Sequence, residues 1–361
     1  MKILLCIGTL RSGGAEKNIS ILANFLVKKK FHVTILTFDK KFSKPFFYLD
    51  KKVEVLNLNI LKKSENIFSK FNNFIIRIRL IRRIVKKAKY ECFISFINTM
   101  NITMLISTMF LNLKKIISDR NNPYYSRNSF LIKLLKLFFY RLADNLVLQT
   151  KQAKEYYWFI KNKKIKIINN FFDEDLSVKK KYKLKKKIKI IVVSKIEKQK
   201  GINLIINSLA KIRNKYNFIC DIYGSGSLIF DIKKNIKVNN LKFLVSIKKP
   251  VRLKKIYKNY DIYILSSYFE GYPNSLVEAM ICGLPVISSE CSFGPREIIS
   301  NKKNGLLFKV GSVNDLTKKL EFFMNNYSSA SKMGINAKNF YKPDQINKRN
   351  LSKWLNILEK K

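Results

Sequence analysis

Short apolar runs alternate along the chain with longer segments of helical period. Lys2–Gly8, His32–Phe38, Cys92–Phe96 and Lys115–Ser118 read as strands, with Asn18–Lys28 as the first intervening helix. The strand-like runs are nearly continuous in apolar residues, the pattern of strands covered on both faces. Their alternation with helices predicts βα units around a parallel sheet, an α/β fold. The pattern breaks over Asp173–Lys189, which is polar and lysine-rich, and then restarts with a strand at Ile190–Ser194, a helix at Ile202–Arg213 and a strand at Phe218–Tyr223. Such a break predicts a domain boundary. The expected organisation is an N-terminal domain over 1–172, a linker over 173–189, a C-terminal domain over 190–342 and a terminal segment over 343–361. Gln345–Lys361 follows Pro343 and places Leu351, Trp354, Leu355 and Leu358 on one face, so this helix is expected to pack back toward the N-terminal domain.

The length of 361 residues, 47% of them hydrophobic, suffices for two ordinary cores. Met1–Ile7 is apolar, but the stretch ends at Gly8 and Arg11, which suits a first strand better than a signal peptide. The longest apolar run, Ile102–Leu113, is too short for a crossing that needs about 20 residues. Membrane contact is therefore expected to be peripheral. The five cysteines show no CxxC spacing and His32 is the single histidine, which argues against a disulfide framework and against zinc.

Lys and Arg outnumber Asp and Glu by 72 to 24, a formal charge of +48. Polyanions are the natural partners: nucleic acid, acidic lipid headgroups or phosphorylated substrates. An AT-rich coding sequence also supplies Lys, Ile and Asn together, so the excess alone does not name a partner. Two segments carry charge beside apolar residues. Phe71–Lys89 aligns Phe71, Phe74, Ile75, Ile78, Ile81 and Val85 on one helical face, with eight basic residues and no acid between Glu65 and Glu91. Together with Phe130–Leu142, it reads either as domain helices with a solvated cationic face or as a surface resting on anionic lipid.

The segment Asp261–Phe308 is the most informative. It reads as a strand (Asp261–Ser266), a loop with Gly271 and Pro273 (Glu270–Ser275), a helix (Ser275–Cys282) and a strand (Pro285–Ser289). In open α/β sheets ligands bind beyond the carboxyl ends of the strands, here at the loop and the helix start. Glu270 and Glu278, with seven residues between them, can both address a ligand lying there, and carboxylates suit sugar hydroxyls because they accept two O–H donors. The amides of Asn274, Ser275, Leu276 and Val277 can meet a phosphate. On spacing alone, Ser275–Glu278 is better read as a capping box, with Glu278 returning to the helix start. Elsewhere, Lys195 and Lys200 follow the strand that reopens the pattern, and Gly13-Gly14-Ala15-Glu16 opens the first helix, where glycines let amides approach an anion. Asp173-Glu174-Asp175 falls in the linker rather than after a nucleotide-binding strand, which argues against a metal site.

Those strings carry a resemblance. EGYPNSLVEAMICGLPVI, Glu270–Ile287, closely resembles the Glu-x7-Glu region of family-4 glycosyltransferases. Val192–Ala210 (VVSKIEKQKGINLIINSLA) resembles that family's GRxxxQKG motif, with Ser194 and Lys195 in place of the usual Gly and Arg. GTLRSGGAEKNISILANFL resembles its N-terminal GGAE loop, Ile117–Pro123 its SERNDP loop, Ala143–Ala153 its ADxxVxQTxxAK region, Tyr223–Gly226 its GxG turn, and Gly294–Ile299 its GPxEII element. The resemblance implies two Rossmann-like domains facing a central cleft, the GT-B architecture. It implies retaining transfer of a hexose or N-acetylhexosamine from a nucleotide diphosphate sugar, UDP first, to a lipid-linked saccharide in surface polysaccharide synthesis, with no cofactor. Glu278 would bind the ribose, Glu270, Gly271 and the amides after it the sugar, and Lys195 and Lys200 the departing diphosphate. Gly13, Gly14, Asp119 and Arg120 would line the substrate side of the N-terminal domain. Family members often carry a histidine near Ser118–Asn121; Asp119-Arg120 stands there, and His32, at a strand start, is no substitute. The implied location is the cytoplasmic face of the plasma membrane.

Three rivals remain. A nucleic-acid-binding protein fits the charge, but no nucleic-acid module is legible. A nicotinamide oxidoreductase needs G-x-G-x-x-G after the first strand, which Gly8–Gly14 does not supply. A non-catalytic homologue fits the substitutions at Ser194, Lys195 and Arg120.

Overall fold

A computed structural model describes residues 1–11, 13–40, 43–60, 67–120, 122–124, 130–179, 182, 187–251 and 255–359, with side chains excepted at 67–70. Most of the lysine run of the expected linker, Ser12, Asn121 and the last two lysines lie outside the described residues. The chain divides into two compact units, Met1–Phe171 with Lys348–Lys361, and Phe172–Asn347.

The first unit begins with β1 (Lys2–Cys6), α1 (Gly14–Lys28), β2 (His32–Thr37) and β3 (Glu54–Asn57). It continues with α2 (Ile67–Ala88), β4 (Cys92–Phe96), α3 (Asn98–Ser107) and β5 (Lys114–Ser118). α4 (Phe130–Phe139), β6 (Asn145–Leu148), α5 (Ala153–Tyr156) and β7 (Ile165–Ile167) complete its N-terminal part. The strands form one sheet in the order β3-β2-β1-β4-β5-β6-β7, every pair parallel. All five residues of β4 are buried, as a strand covered on both faces requires.

The second unit holds β8 (Ile188–Val193), α6 (Ile202–Ile212), β9 (Phe218–Tyr223), α7 (Ile229–Val238) and β10 (Val245–Lys248). It continues with β11 (Ile262–Leu265), α8 (Asn274–Ile281), β12 (Val286–Ser289), α9 (Pro295–Ile298), β13 (Leu306–Phe308), α10 (Val313–Asn325) and α11 (Tyr327–Phe340). Its sheet, β10-β9-β8-β11-β12-β13, is also wholly parallel. In both sheets the strand order reverses direction once, at β1/β4 and at β8/β11, and such a switch point leaves a crevice at the carboxyl ends of the two strands.

Several boundaries move from the sequence expectation. The first helix begins four residues earlier, at Gly14, because its first turn is held by the Lys17 amide donating to Gly13 O at 3.0 Å. The Asp173–Lys189 segment, read as a linker, is anchored where it is described. Lys179 is buried in the second unit, its ammonium 2.7 Å from Asp261 and 2.6 Å from Tyr260 O. Glu174, the middle of the Asp-Glu-Asp run, accepts from Asn347 at 3.2 Å.

The last helix, α12 (Pro343–Glu359), starts in the second unit and ends in the first. In the first unit Trp354 is fully buried among the residues of the core that also contains Phe96, Ile168 and Phe171, stacked on Phe96 with ring centroids 6.3 Å apart. Asn350 donates to the carbonyls of Asn169 and Asn170 at 3.2 and 3.0 Å. No helix among the described residues is long and apolar enough to cross a membrane. Trp354→Ala is expected to cost about 3–5 kcal/mol of stability, read as a lower urea midpoint at unchanged slope.

Candidate functional site

In the second unit the turns after β8 and β11 meet at the switch point. Three bonds stitch them together: Gln199 Nε2 donates to Phe269 O at 2.8 Å, the Tyr268 amide to Gln199 O at 2.8 Å, and Ser266 Oγ to Lys200 O at 2.8 Å. Gly201 makes the approach possible. It lies at φ +58°, and a Cβ there would stand 2.3 Å from Ser266 O. The stitched turns bring Lys200 Nζ to 2.6 Å from Glu270 Oε1, which Ser267 Oγ also approaches at 2.6 Å. Glu270 is buried, and Lys200 is 19% exposed with two further N–H donors on its ammonium.

Lys195 behaves differently. It stands exposed just past β8 with no ion pair among the described residues, so the structure unites Lys200 with Glu270 and leaves Lys195 in solvent. The GxG turn after β9 is a spacer for this loop. A Cβ on Gly224 would fall 1.9 Å from Ser194 O and one on Gly226 2.2 Å from Ile196 O. Glu197 fastens the same turn by accepting from the Ser227 amide and hydroxyl at 2.9 and 2.7 Å.

At α8 the capping box is not formed. Pro273 is the N-cap, two residues too early for Ser275 to cap, and it has no side-chain bond. Ser275 Oγ pairs with Tyr263 OH at 2.8 Å, while Glu278 Oε2 accepts from Tyr257 OH at 3.2 Å. Glu278 is half-buried one turn into the helix, and burial together with its charge holds the Tyr257 hydroxyl neutral by raising its pKa. The amides of Leu276 and Val277 point back to Pro273 O at 3.2 and 3.4 Å. The loop expectation is therefore corrected: Leu276 is buried with its amide committed to the helix, so anion contact from this turn is left to the Asn274 and Ser275 end. Gly294, at φ +76°, packs on the Gly271–Pro273 loop, where a Cβ would lie 2.5 Å from Pro273 Cδ. The GPxEII string thus braces the loop, a role that needs the fold to be seen.

In the first unit Gly13 and Gly14 open α1 beyond β1, and Glu16 folds back so that a Cβ on Gly13 would meet its Oε2 at 2.1 Å. Asp119, expected on the substrate side, turns inward. Its carboxylate takes the fully buried Lys136 ammonium at 2.7 Å and a short bond from Tyr157 OH. A buried lysine requires such a partner, and Asp119 is consumed by that need. Arg120 donates through Nε to Ser118 Oγ at 2.9 Å and through Nη1 to Asn170 Oδ1, and its guanidinium lies 4.5 Å from the Phe96 ring centre. Burial lowers its pKa to about 9, which still leaves it charged at neutral pH. Asn170 and Phe96 carried no signal in the sequence, and Gln149, within the ADxxVxQTxxAK resemblance, gave no sign of its partner, because the three converge only through three different strand ends. His32 is exposed at the amino end of β2, opposite the edge where ligands bind.

Residues 173–340 match the family of glycosyl transferases group 1. Over 99% of its length the chain is 27% identical to 98% of a Campylobacter jejuni enzyme named GalNAc-alpha-(1->4)-GalNAc-alpha-(1->3)-diNAcBac-PP-undecaprenol alpha-1,4-N-acetyl-D-galactosaminyltransferase. A second enzyme of that organism, N-acetylgalactosamine-N,N'-diacetylbacillosaminyl-diphospho-undecaprenol 4-alpha-N-acetylgalactosaminyltransferase, is 25% identical over 90% of each chain. The chain is a GT-B glycosyltransferase related to the family-4 enzymes of bacterial surface polysaccharides. Solved structures share the fold: a Rickettsia africae glycosyltransferase (TM-score 0.80, 17% identity, 100% of this chain and 99% of that one). A sucrose-phosphate synthase of Thermosynechococcus elongatus does so too (TM-score 0.86, 15% identity, 99% of each). In this glycosyltransferase, Gly201→Ala is expected to cost more than about 1 kcal/mol, since it places a side chain in the left-handed region against a backbone oxygen. It should also raise the donor KM by shifting Lys200, which donor titration of the folded variant would read.

Proposed function

We propose that this protein transfers a hexose or N-acetylhexosamine, with retention, from a nucleotide diphosphate sugar to a lipid-linked saccharide. The observation that carries the reading is the Lys200–Glu270 pair at the β8/β11 switch point, with Glu278 one turn into α8, the helix that follows the Glu270 loop. Lys200 contacts the donor diphosphate with its remaining N–H groups, and exposed Lys195 adds positive charge. Glu270, Gly271, Asn274 and Ser275 hold the sugar, and Glu278 accepts from the ribose hydroxyls. Gly13, Gly14 and Arg120 serve the acceptor side. The C1–O bond to the diphosphate breaks with its electron pair leaving on the phosphate oxygen, where the cations stabilise the growing charge. The acceptor hydroxyl attacks C1 from the same face and passes its proton to the departing diphosphate. The lipid-linked acceptor is supported by similarity to the two Campylobacter enzymes, whose names specify undecaprenol diphosphate substrates, and UDP as nucleotide rests on the motif resemblance.

The location follows from the same acceptor: the inner face of the plasma membrane, bound peripherally. α4 presents the wrong side of an ordinary helix to solvent. Lys136 is 1% exposed while Phe130, Leu131 and Phe138 are 76%, 62% and 64% exposed. Lys136 is thus removed from the lipid-facing charge expected of this helix, and apolar side chains take its place. On α2, Ile81 and Val85 are buried but Phe71 is exposed, and Arg82 is turned inward to the carbonyls of Ser107 and Met109 at 3.1 and 2.8 Å. Arg79, Arg83, Lys86 and Lys87 remain exposed for anionic headgroups.

A panel of UDP-sugars, with UDP release and product measured against membrane lipid extract, tests the reaction. One sugar should give acceptor-dependent release, and Glu278→Ala should lower kcat/KM by about 100-fold or more, the scale of a lost donor contact of about 3 kcal/mol. Release with no sugar and binding of none would favour a non-catalytic homologue. Sedimentation with vesicles should show binding to anionic but not neutral lipid, weakened by Phe130→Ser with Phe138→Ser and by salt. Each of Arg83→Gln and Lys87→Gln is expected to remove about 1 kcal/mol of that binding.

A further inference from the structure

Among the described residues, two buried lysines are matched to carboxylates and a buried arginine is not. Lys136 meets Asp119 at 2.7 Å and Lys179 meets Asp261 at 2.7 Å. Arg120 is buried too, at 8% exposure, yet among the described residues its guanidinium bonds the neutral oxygens of Ser118 and Asn170 and lies on the face of Phe96, with no carboxylate beside it. Its Nη2, withdrawn from solvent, finds no acceptor among the described residues. A buried charge without counter-charge is strongly unfavourable and is retained where something supplies the missing charge.

The guanidinium is not needed by the groups it touches. Asn170 Oδ1 also accepts from Gln149 Nε2 at 2.5 Å, and Ser118 Oγ also donates to Val147 O at 3.4 Å. Deleting Arg120 would therefore orphan neither partner. Its place is meaningful as well. Ser118 is the last residue of β5, so Arg120 stands at the carboxyl edge of the sheet, where ligands bind. The neighbouring turn after β4 holds Ile97 at φ +77°, a strained conformation for a β-branched residue, with its amide on Ser118 O at 3.1 Å.

We propose that Arg120 is an anion-binding group of the first unit, and that its ligand is a phosphate oxyanion of a substrate. The naming of a phosphate rests on the reaction proposed above, in which both the donor and the lipid-linked acceptor carry a diphosphate. Nη2 is covered in the structure, so binding is coupled to a local rearrangement that uncovers it. The oxyanion completes the guanidinium's hydrogen bonding and neutralises its charge, positioning the substrate that carries it.

The test uses the full-length chain as Lys200→Met, which weakens the proposed donor phosphate site, with Arg120→Met or Arg120→Lys added. Thermal unfolding is followed with inorganic diphosphate, and the transfer kinetics are measured in the wild-type background. Diphosphate is expected to raise the Tm of the Lys200→Met parent. Arg120→Met should abolish that rise while leaving the unliganded Tm equal or higher. Arg120→Lys should restore part of the rise, which a folding defect would not.

In transfer assays Arg120→Met should raise one KM at least 10-fold. A higher acceptor KM at unchanged donor KM assigns the oxyanion to the lipid-linked diphosphate, and the converse assigns it to the donor. If the wild-type protein transfers no sugar but the diphosphate rise still depends on Arg120, the anion site stands and the reaction reading fails. No diphosphate rise in the parent, or a rise that survives Arg120→Met with a lower unliganded Tm, overturns the proposal and leaves Arg120 as a packing residue.

Discussion

In each unit the residues of the candidate site sit at the carboxyl edge of a parallel sheet. When every strand runs the same way, each strand-to-helix turn emerges at the carboxyl edge, and the strands themselves must be buried on both faces by helices. That constraint explains why the apolar runs are unbroken and why the polar positions are confined to turns. It also explains why Lys200 and Glu270, 70 positions apart, are in contact at 2.6 Å. The bonds and glycines that stitch the two turns keep that contact in place. Gly201, Gly224 and Gly294 are spacers between backbones rather than cradles for a phosphate.

Burying charge is the second constraint, and it redistributes roles among residues that look alike in sequence. Lys136 and Lys179 belong to a lysine-rich composition that invites dismissal as surface charge. Both are interior, and each claims a carboxylate. Asp119 is thereby withdrawn from solvent and substrate, and Asp261 anchors a segment whose composition reads as a loose tether. Arg120, one position from Asp119, is left with its charge unmatched among the described residues.

The net charge of +48 acquires meaning only once individual side chains are placed. Arg82 spends its guanidinium on two carbonyls inside the unit, whereas Arg79, Arg83, Lys86 and Lys87 of the same helix face outward. On α4 the exposed aromatic side chains and the buried lysine reverse the usual arrangement, because the requirement of Asp119 and Tyr157 for Lys136 outweighs the cost of exposing Phe130 and Phe138. Exposed apolar side chains on one helix and exposed cations on another suit a lipid surface better than a nucleic-acid backbone alone.

The sequence by itself determined the strand and helix alternation, the break after Phe172 and the motif string Glu270–Ile287, because these depend on local period and on residues adjacent in the chain. It also placed a helix on Leu351, Trp354, Leu355 and Leu358, a face readable from spacing alone. Only the tertiary structure decided that Ser275 bonds Tyr263 instead of capping its helix, and that Lys200 rather than Lys195 meets Glu270. The same holds for Asp119 facing the core and Arg120 facing no carboxylate. Each of these depends on which side chains arrive from distant strands to satisfy a buried donor, acceptor or charge. Partners drawn from the far side of a sheet leave no periodic trace in the chain that binds them.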